Sequence, residues 1–245
     1  MARREKVQNP LSPGEVFDLA GAINEAVPRN LDAKKVRADL SSKGTLRRDL
    51  GTFFRARYAL FVDTGLYTRF YREVYNKTVD LSVLLVPTMP EYESWPIVVV
   101  PGLITINDRF EVSKKMFGNA WRYTDDLNTV SDIVERPKVP YVAWVQATVE
   151  ADPGLANISA EGIAKRGLNI LTLGERLDLG LQHFYEKKEH LDIESWTLCA
   201  GSRYADGSVP AVRWSPASRR LSVGGYGSRV AGPDVRARAE VVPET

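Results

Sequence analysis

The chain has 245 residues, of which 44% are hydrophobic and 26% charged, with a formal net charge of +2; this is the balance of a globular protein and excludes a disordered or collagen-like one. No run approaches the roughly 20 consecutive apolar residues that cross a bilayer, and the charged opening MARREKVQNP has no apolar segment behind it. One cysteine, Cys199, and two histidines, His183 and His190, exclude an internal disulfide and leave little with which to build a zinc finger.

The first 79 residues hold 15 Lys+Arg against 9 Asp+Glu. Ser12-Pro13-Gly14-Glu15 offers an N-cap, a proline for the first turn and a capping-box glutamate, which predicts an amphipathic helix ending before Pro28. Helices over 32–40 and 45–58 complete an expected N-terminal helical unit, residues 1–78. Arg47, Arg48, Arg55 and Arg57 on this unit define the alternative function, a nucleic-acid-binding protein of a mobile element. The basic residues are interleaved with acids as on a solvated helix face, so nucleic acid is not the expected partner.

From Val79 the pattern becomes β. Val79–Val86 and Ile97–Ile106 are β-branched runs broken by Pro87, Pro90, Pro96 and Pro101, which suggest strand ends and turns. Residues 121–138 read as irregular, with Asp125-Asp126 a solvated turn rather than a cation site, and 139–149 as a strand or short helix. Ser159 caps a short helix that stops at Gly167. Thr172-Leu173-Gly174-Glu175 is a capping box that opens a helix reaching Lys187-Lys188. His183 and His190 read as helix-surface or capping residues.

Residues 201–239 contain no Lys, Glu, Gln or Met, and Gly, Ser, Tyr and Arg replace them. That vocabulary suits adaptable loops with aromatic and guanidinium anchors. A disordered tail would show the same omissions, but Val209, Val212, Trp214, Leu221, Val223 and Tyr226 are spaced as in short strands joined by turns.

The helix opened by Leu171-Thr172-Leu173-Gly174-Glu175, then Trp196-Thr197-Leu198-Cys199-Ala200-Gly201-Ser202-Arg203, Asp206-Gly207, Val209-Pro210, Trp214 and Val235-Arg236-Ala237-Arg238 resemble the C-terminal halves of variable proteins encoded by diversity-generating retroelements. The resemblance covers about residues 139–245. It implies an α+β fold: a C-type lectin-like domain with a small antiparallel sheet over 79–245, preceded by the helical unit, with a variable region at about 201–239. In that family adenines of AAC-rich templates are randomised, and the resulting NNC codons exclude Lys, Glu, Gln, Met and Trp. Trp214 is then scaffold, together with Trp196, Gly201, Asp206 and Gly207. The implied ligand-binding residues are Tyr204, Ser208, Ala211, Arg213, Ser215, Ser218, Arg220, Ser222, Gly224, Tyr226, Ser228 and Arg229, with Tyr204, Arg213 and Tyr226 as the main anchors.

The calcium-dependent sugar motifs of animal lectins are absent, as are a Gly-x-Ser-x-Gly elbow, a phosphate loop and a His-Glu-x-x-His motif. A hydrolase built on Asp125, Asp126 and His183 is the least favoured reading. The expectation is a binding protein for a macromolecular ligand, with no catalytic residue, metal or cofactor. It is placed in the cytoplasm by default, with display on a virion or cell surface as the other possibility. Cys199, between Leu198 and Ala200, is expected to be a buried strand residue.

Overall fold

The computed structural model describes residues 62–244, so the helices expected over 12–28, 32–40 and 45–58, with Arg47, Arg48, Arg55 and Arg57, lie outside the described residues. Within 62–244 the architecture is α+β. Helix α1 (Thr64–Tyr75) is capped by Asp63, whose side chain accepts from the Leu66 amide, and ends at Asn76 in the left-handed conformation. It buries Tyr67, Phe70 and Tyr71 in one cluster with Val98, Val142 and Trp144. The Tyr71 hydroxyl donates to the Val98 carbonyl at 2.9 Å, so a buried phenol is satisfied. Residues 62–78, expected in the N-terminal unit, thus contribute to this core.

Strand β1 (Ser94–Val99) is followed by a turn at Pro101-Gly102 and then by helix α2 (Ile106–Phe117). The β run expected over Ile97–Ile106 therefore ends early. Thr105 and Asp108 form a reciprocal capping box, which converts the last residue of that run into the first of a helix. Residues 79–86, also expected as a strand, form none. The Asp80 carboxylate captures the Ser82 amide in a turn, and only Leu85 bridges to Tyr141. The stretch 121–138 is more ordered than expected, with strand β2 (Ala120–Arg122), a short 3-10 turn at Leu127–Thr129 and strand β3 (Ser131–Asp132).

Strand β4 (Tyr141–Gln146) resolves the choice left open for 139–149. Helix α3 (Ala160–Ala164) is capped by Ser159, and helix α4 (Leu173–Lys187) by the reciprocal Thr172–Glu175 box, with Lys188 in the left-handed conformation at its end. The remaining strands are β5 (Trp196–Leu198), β6 (Ser202–Arg203), β7 (Val209–Ser215), β8 (Arg220–Tyr226), β9 (Val235–Arg236) and β10 (Glu240–Val241). Three sheets result: an antiparallel β1–β4–β10, a five-stranded β2–β8–β7–β5–β9, and the pair β3–β6.

Helix α4 is buried on almost every side. Leu173, Leu177 and Leu181 recur at a spacing of four and fill two apolar clusters, while Leu179 enters a third with Ile97 and Ala143. Several of its buried polar residues bond to another element. Gln182 exchanges two hydrogen bonds with the Val98 backbone, at 3.0 and 2.7 Å. Asp178 pairs with Arg109 at 2.8 Å, and Glu175 accepts from Arg136 and from the Tyr141 hydroxyl, each at 2.7 Å. Arg176 reaches Asp192, which Arg238 also grips from the C-terminal segment at 2.7 Å.

Of the two histidines, His183 is buried and His190 is partly exposed. His183 is buried, with its ring 4.4 Å from that of Trp95, and burial lowers its pKa below the ordinary value. His190 is stacked among aromatic rings. Cys199 is wholly buried immediately after β5, and burial pushes its thiol up, out of the reactive range.

Candidate ligand-binding face

Strands β7 and β8 form an antiparallel ladder of seven pairs, from Val209 opposite Tyr226 to Ser215 opposite Arg220. Because successive strand residues point to opposite faces, the register sorts the two strands into two sets. Val212, Trp214, Leu221 and Val223 look inward, into a cluster with Phe110, Leu173, Leu177 and Cys199. Ala211, Arg213, Ser215, Arg220, Ser222, Gly224 and Tyr226 share the other face with Val209. Seven of the twelve ligand-binding positions expected from the sequence are thus neighbours on one surface.

One half of this surface is closed by aromatic rings. Val209 and Ala211 are buried with Leu198 and Ile163, and Trp196 and Tyr226 pack onto that cluster. Trp196 and Tyr226 meet edge to face, with ring centroids 5.8 Å apart. A methyl group at Gly224 would lie 3.3 Å from Cζ3 of Trp196, so the absence of a side chain there seats the indole on the sheet. Ala211 and Gly224 are therefore floor rather than contact residues, and Trp196, expected as scaffold, is partly exposed on the face itself.

The other half is open. Arg213, Ser215 and Arg220 are partly exposed, and Ser222 lies between them with only 6% of its surface free. Trp121 is not among the expected site residues. Strand β2 runs parallel to β8 and sets Trp121 beside Ser222, where its indole is 44% exposed and lies 5.8 Å from the Arg220 guanidinium. This pairing joins residues about a hundred positions apart, and no local pattern encodes it.

Tyr204 must be withdrawn from the surface. It is only 5% exposed, packs in the inward cluster, and donates its hydroxyl to the Gly224 carbonyl at 3.1 Å. Its burial pushes the phenol pKa up. The other four positions lie off the shared face. Ser208 donates its hydroxyl to Asp206 within a turn at 2.6 Å, and Ser218 is exposed at the β7–β8 hairpin. Ser228 and Arg229 both reach Glu161 in helix α3, at 2.9 and 3.1 Å.

The remaining residues expected as scaffold have identifiable roles. Trp214 is buried. Asp206 accepts from the Ser208 amide at 2.9 Å, and Gly207 beside it has φ +81°, a conformation that favours glycine. A Cβ on Gly201 would fall 2.7 Å from the Ile170 carbonyl oxygen, too close for any side chain.

Asp126 caps the 3-10 turn and accepts from Asn107 at 2.6 Å, while His183 packs against Trp95. Among the described residues there is no group of three or more His, Cys, Asp or Glu able to hold a metal ion. None of the described helices is long and apolar enough to cross a membrane. Comparison with protein-family models, curated proteins and solved structures gave no match.

Proposed function

We propose that this chain is a ligand-binding protein without catalytic activity, diversified by a retroelement, with a C-type lectin-like domain that presents the outer β7–β8 face to a macromolecular ligand. The observation that supports this reading is the register. Ala211, Arg213, Ser215, Arg220, Ser222, Gly224 and Tyr226 are all reachable by NNC codons and share one face, whereas Trp214, which no such codon encodes, points into the core. A surface that tolerates variation needs its stability lodged elsewhere. Here the inward residues of the same two strands supply it, through Trp214, Val212, Leu221 and Val223.

Sequencing many natural copies of the gene with its flanking DNA tests the reading. Substitutions are expected to concentrate at codons for the outer face, beside a near-copy of the 3′ end that differs at adenines and a reverse transcriptase gene. Variation spread equally over inward and outward codons, or the lack of a template copy, would overturn it.

A further inference from the structure

Two guanidiniums dominate the open half of the face. Arg213 stands opposite Ser222 and Arg220 opposite Ser215, so the two arginines are diagonal neighbours across the ladder. Diagonal neighbours stand about 7–8 Å apart, and here the two side chains flank Ser222, Arg213 reaching toward Ile193 and Arg220 toward Trp121. Arg213 is anchored by Nε and one terminal nitrogen to the Ile193 carbonyl, at 3.3 and 3.1 Å. That contact fixes the side chain but leaves its charge unbalanced. Arg220 lies over Trp121, and its Nε is buried without a hydrogen-bond partner. A buried donor with no acceptor is a standing cost, and the partly exposed remainder of the guanidinium is what a ligand can reach.

Elsewhere the enclosed arginines have carboxylate partners: Arg109 has Asp178, Arg136 has Glu175, and Arg176 and Arg238 share Asp192. Among the described residues neither Arg213 nor Arg220 has an ion-pair partner. Strands β7 and β8 contain no carboxylate, and the exposed Arg219 adds a further positive charge at the hairpin. The two guanidiniums thus lack a direct carboxylate partner and stand beside three rings with exposed surface, those of Trp121, Trp196 and Tyr226.

The geometry points to an acidic protein segment as the ligand class: an exposed loop whose Asp or Glu carboxylate enters between Arg213 and Arg220. Its apolar neighbours then lie on Trp121 and on the Trp196–Tyr226 pair. A guanidinium fork matches one planar carboxylate, and aromatic flanks supply contact area at small entropic cost. A nucleic acid would need a continuous basic track along its backbone. Residues 201–239 contain no lysine, and strands β7 and β8 carry only Arg213 and Arg220 as basic residues. This inference rests on the reading of the face as a binding surface.

The test uses the full chain as bait for a displayed library of disulfide-closed random peptide loops. The Arg213→Glu/Arg220→Glu double variant and the Trp196→Ala variant serve as comparators, with melting curves showing that each is folded. The expected result is enrichment of loops that carry Asp or Glu beside apolar residues and lose about tenfold or more in affinity for the double variant. Enriched loops without acids that depend on Trp196 would overturn the acidic class while leaving the face a binding surface. No enrichment over either comparator would overturn both readings. Tighter binding of a labelled oligothymidylate than of any loop at physiological salt would overturn the choice of a protein ligand.

Discussion

The imidazole of His190 lies flat on the indole of Trp214, with ring centroids 3.6 Å apart and planes 10° from parallel. Phe184 stacks on the same imidazole at 4.8 Å, and Phe117 meets it edge-on at 5.0 Å. A histidine just beyond helix α4 thereby clamps the inward side of the strand whose outward side carries Arg213.

That clamp predicts a pH dependence. Burial pushes the His190 pKa down to about 4, because the charged ring would lose its water among aromatic neighbours. In the unfolded chain the ring titrates near its ordinary 6.5. Between these values the unfolded state binds more protons, so the contribution is complete above pH 6.5 and is lost as pH falls toward 4. Urea midpoints measured across this range should fall with pH, and His190→Phe should flatten that part of the profile. An unchanged profile in the variant would assign the dependence to other groups.

Trp214→Ala is expected to cost about 3–5 kcal/mol, since it removes a buried ring and unstacks His190. Ser218→Asn at the exposed hairpin should stay within about 0.5 kcal/mol. Equal sensitivity at both positions in denaturation curves would dissolve the distinction between the inward scaffold and the exposed surface.

Some of this organisation is legible in the sequence, for physical reasons that differ by element. Helix α4 announces itself through Thr172 and Glu175, whose reciprocal capping is local. The two faces of β7 and β8 are written in their alternation, Val212 and Trp214 against Arg213 and Ser215. Tyr204 was misplaced because codon chemistry says which residues can arise at a position, not which way the side chain points. Helix α2 was missed because Ile106 closes a β-branched run; the available signal was the Thr105–Asp108 box with aspartate in place of glutamate. Glu175, Arg176 and Asp178 look like a solvent face until Arg136, Asp192 and Arg109 arrive from distant segments.

Asp192 is the one of these carboxylates shared by two arginines. It is fully buried, has φ +57°, and accepts from Arg176, Arg238 and the Thr197 hydroxyl. Burial alone would raise its pKa, but Arg238 and Arg176 outweigh burial and hold the carboxyl below its ordinary value. Its contribution is therefore present above the unfolded carboxylate pKa and is lost only as pH falls through the lower folded one. Asp192→Ala leaves two guanidiniums unpaired and should cost about 3–5 kcal/mol at neutral pH, read from chemical denaturation. A near-neutral result would mean that water replaces the carboxylate.

Two glycines separate fold from function in one further comparison. Gly201 abuts rigid backbone: a Cβ there meets the Ile170 carbonyl oxygen at 2.7 Å and that of Leu171 at 3.2 Å, directly ahead of the Thr172 cap of helix α4. Nothing at that contact can yield without moving the helix start, so Gly201→Ala should cost about 1–3 kcal/mol. At Gly224 the neighbour is the edge of the Trp196 indole, at 3.3 Å, and a partly exposed ring can tilt by the few tenths of an ångström required. Gly224→Ala should therefore cost less, while changing the tryptophan emission and the shape of the outer face. Thermal midpoints and emission spectra of the two variants check this, and a larger loss of stability at Gly224 than at Gly201 would place Trp196 in the load-carrying core and remove it from the binding surface.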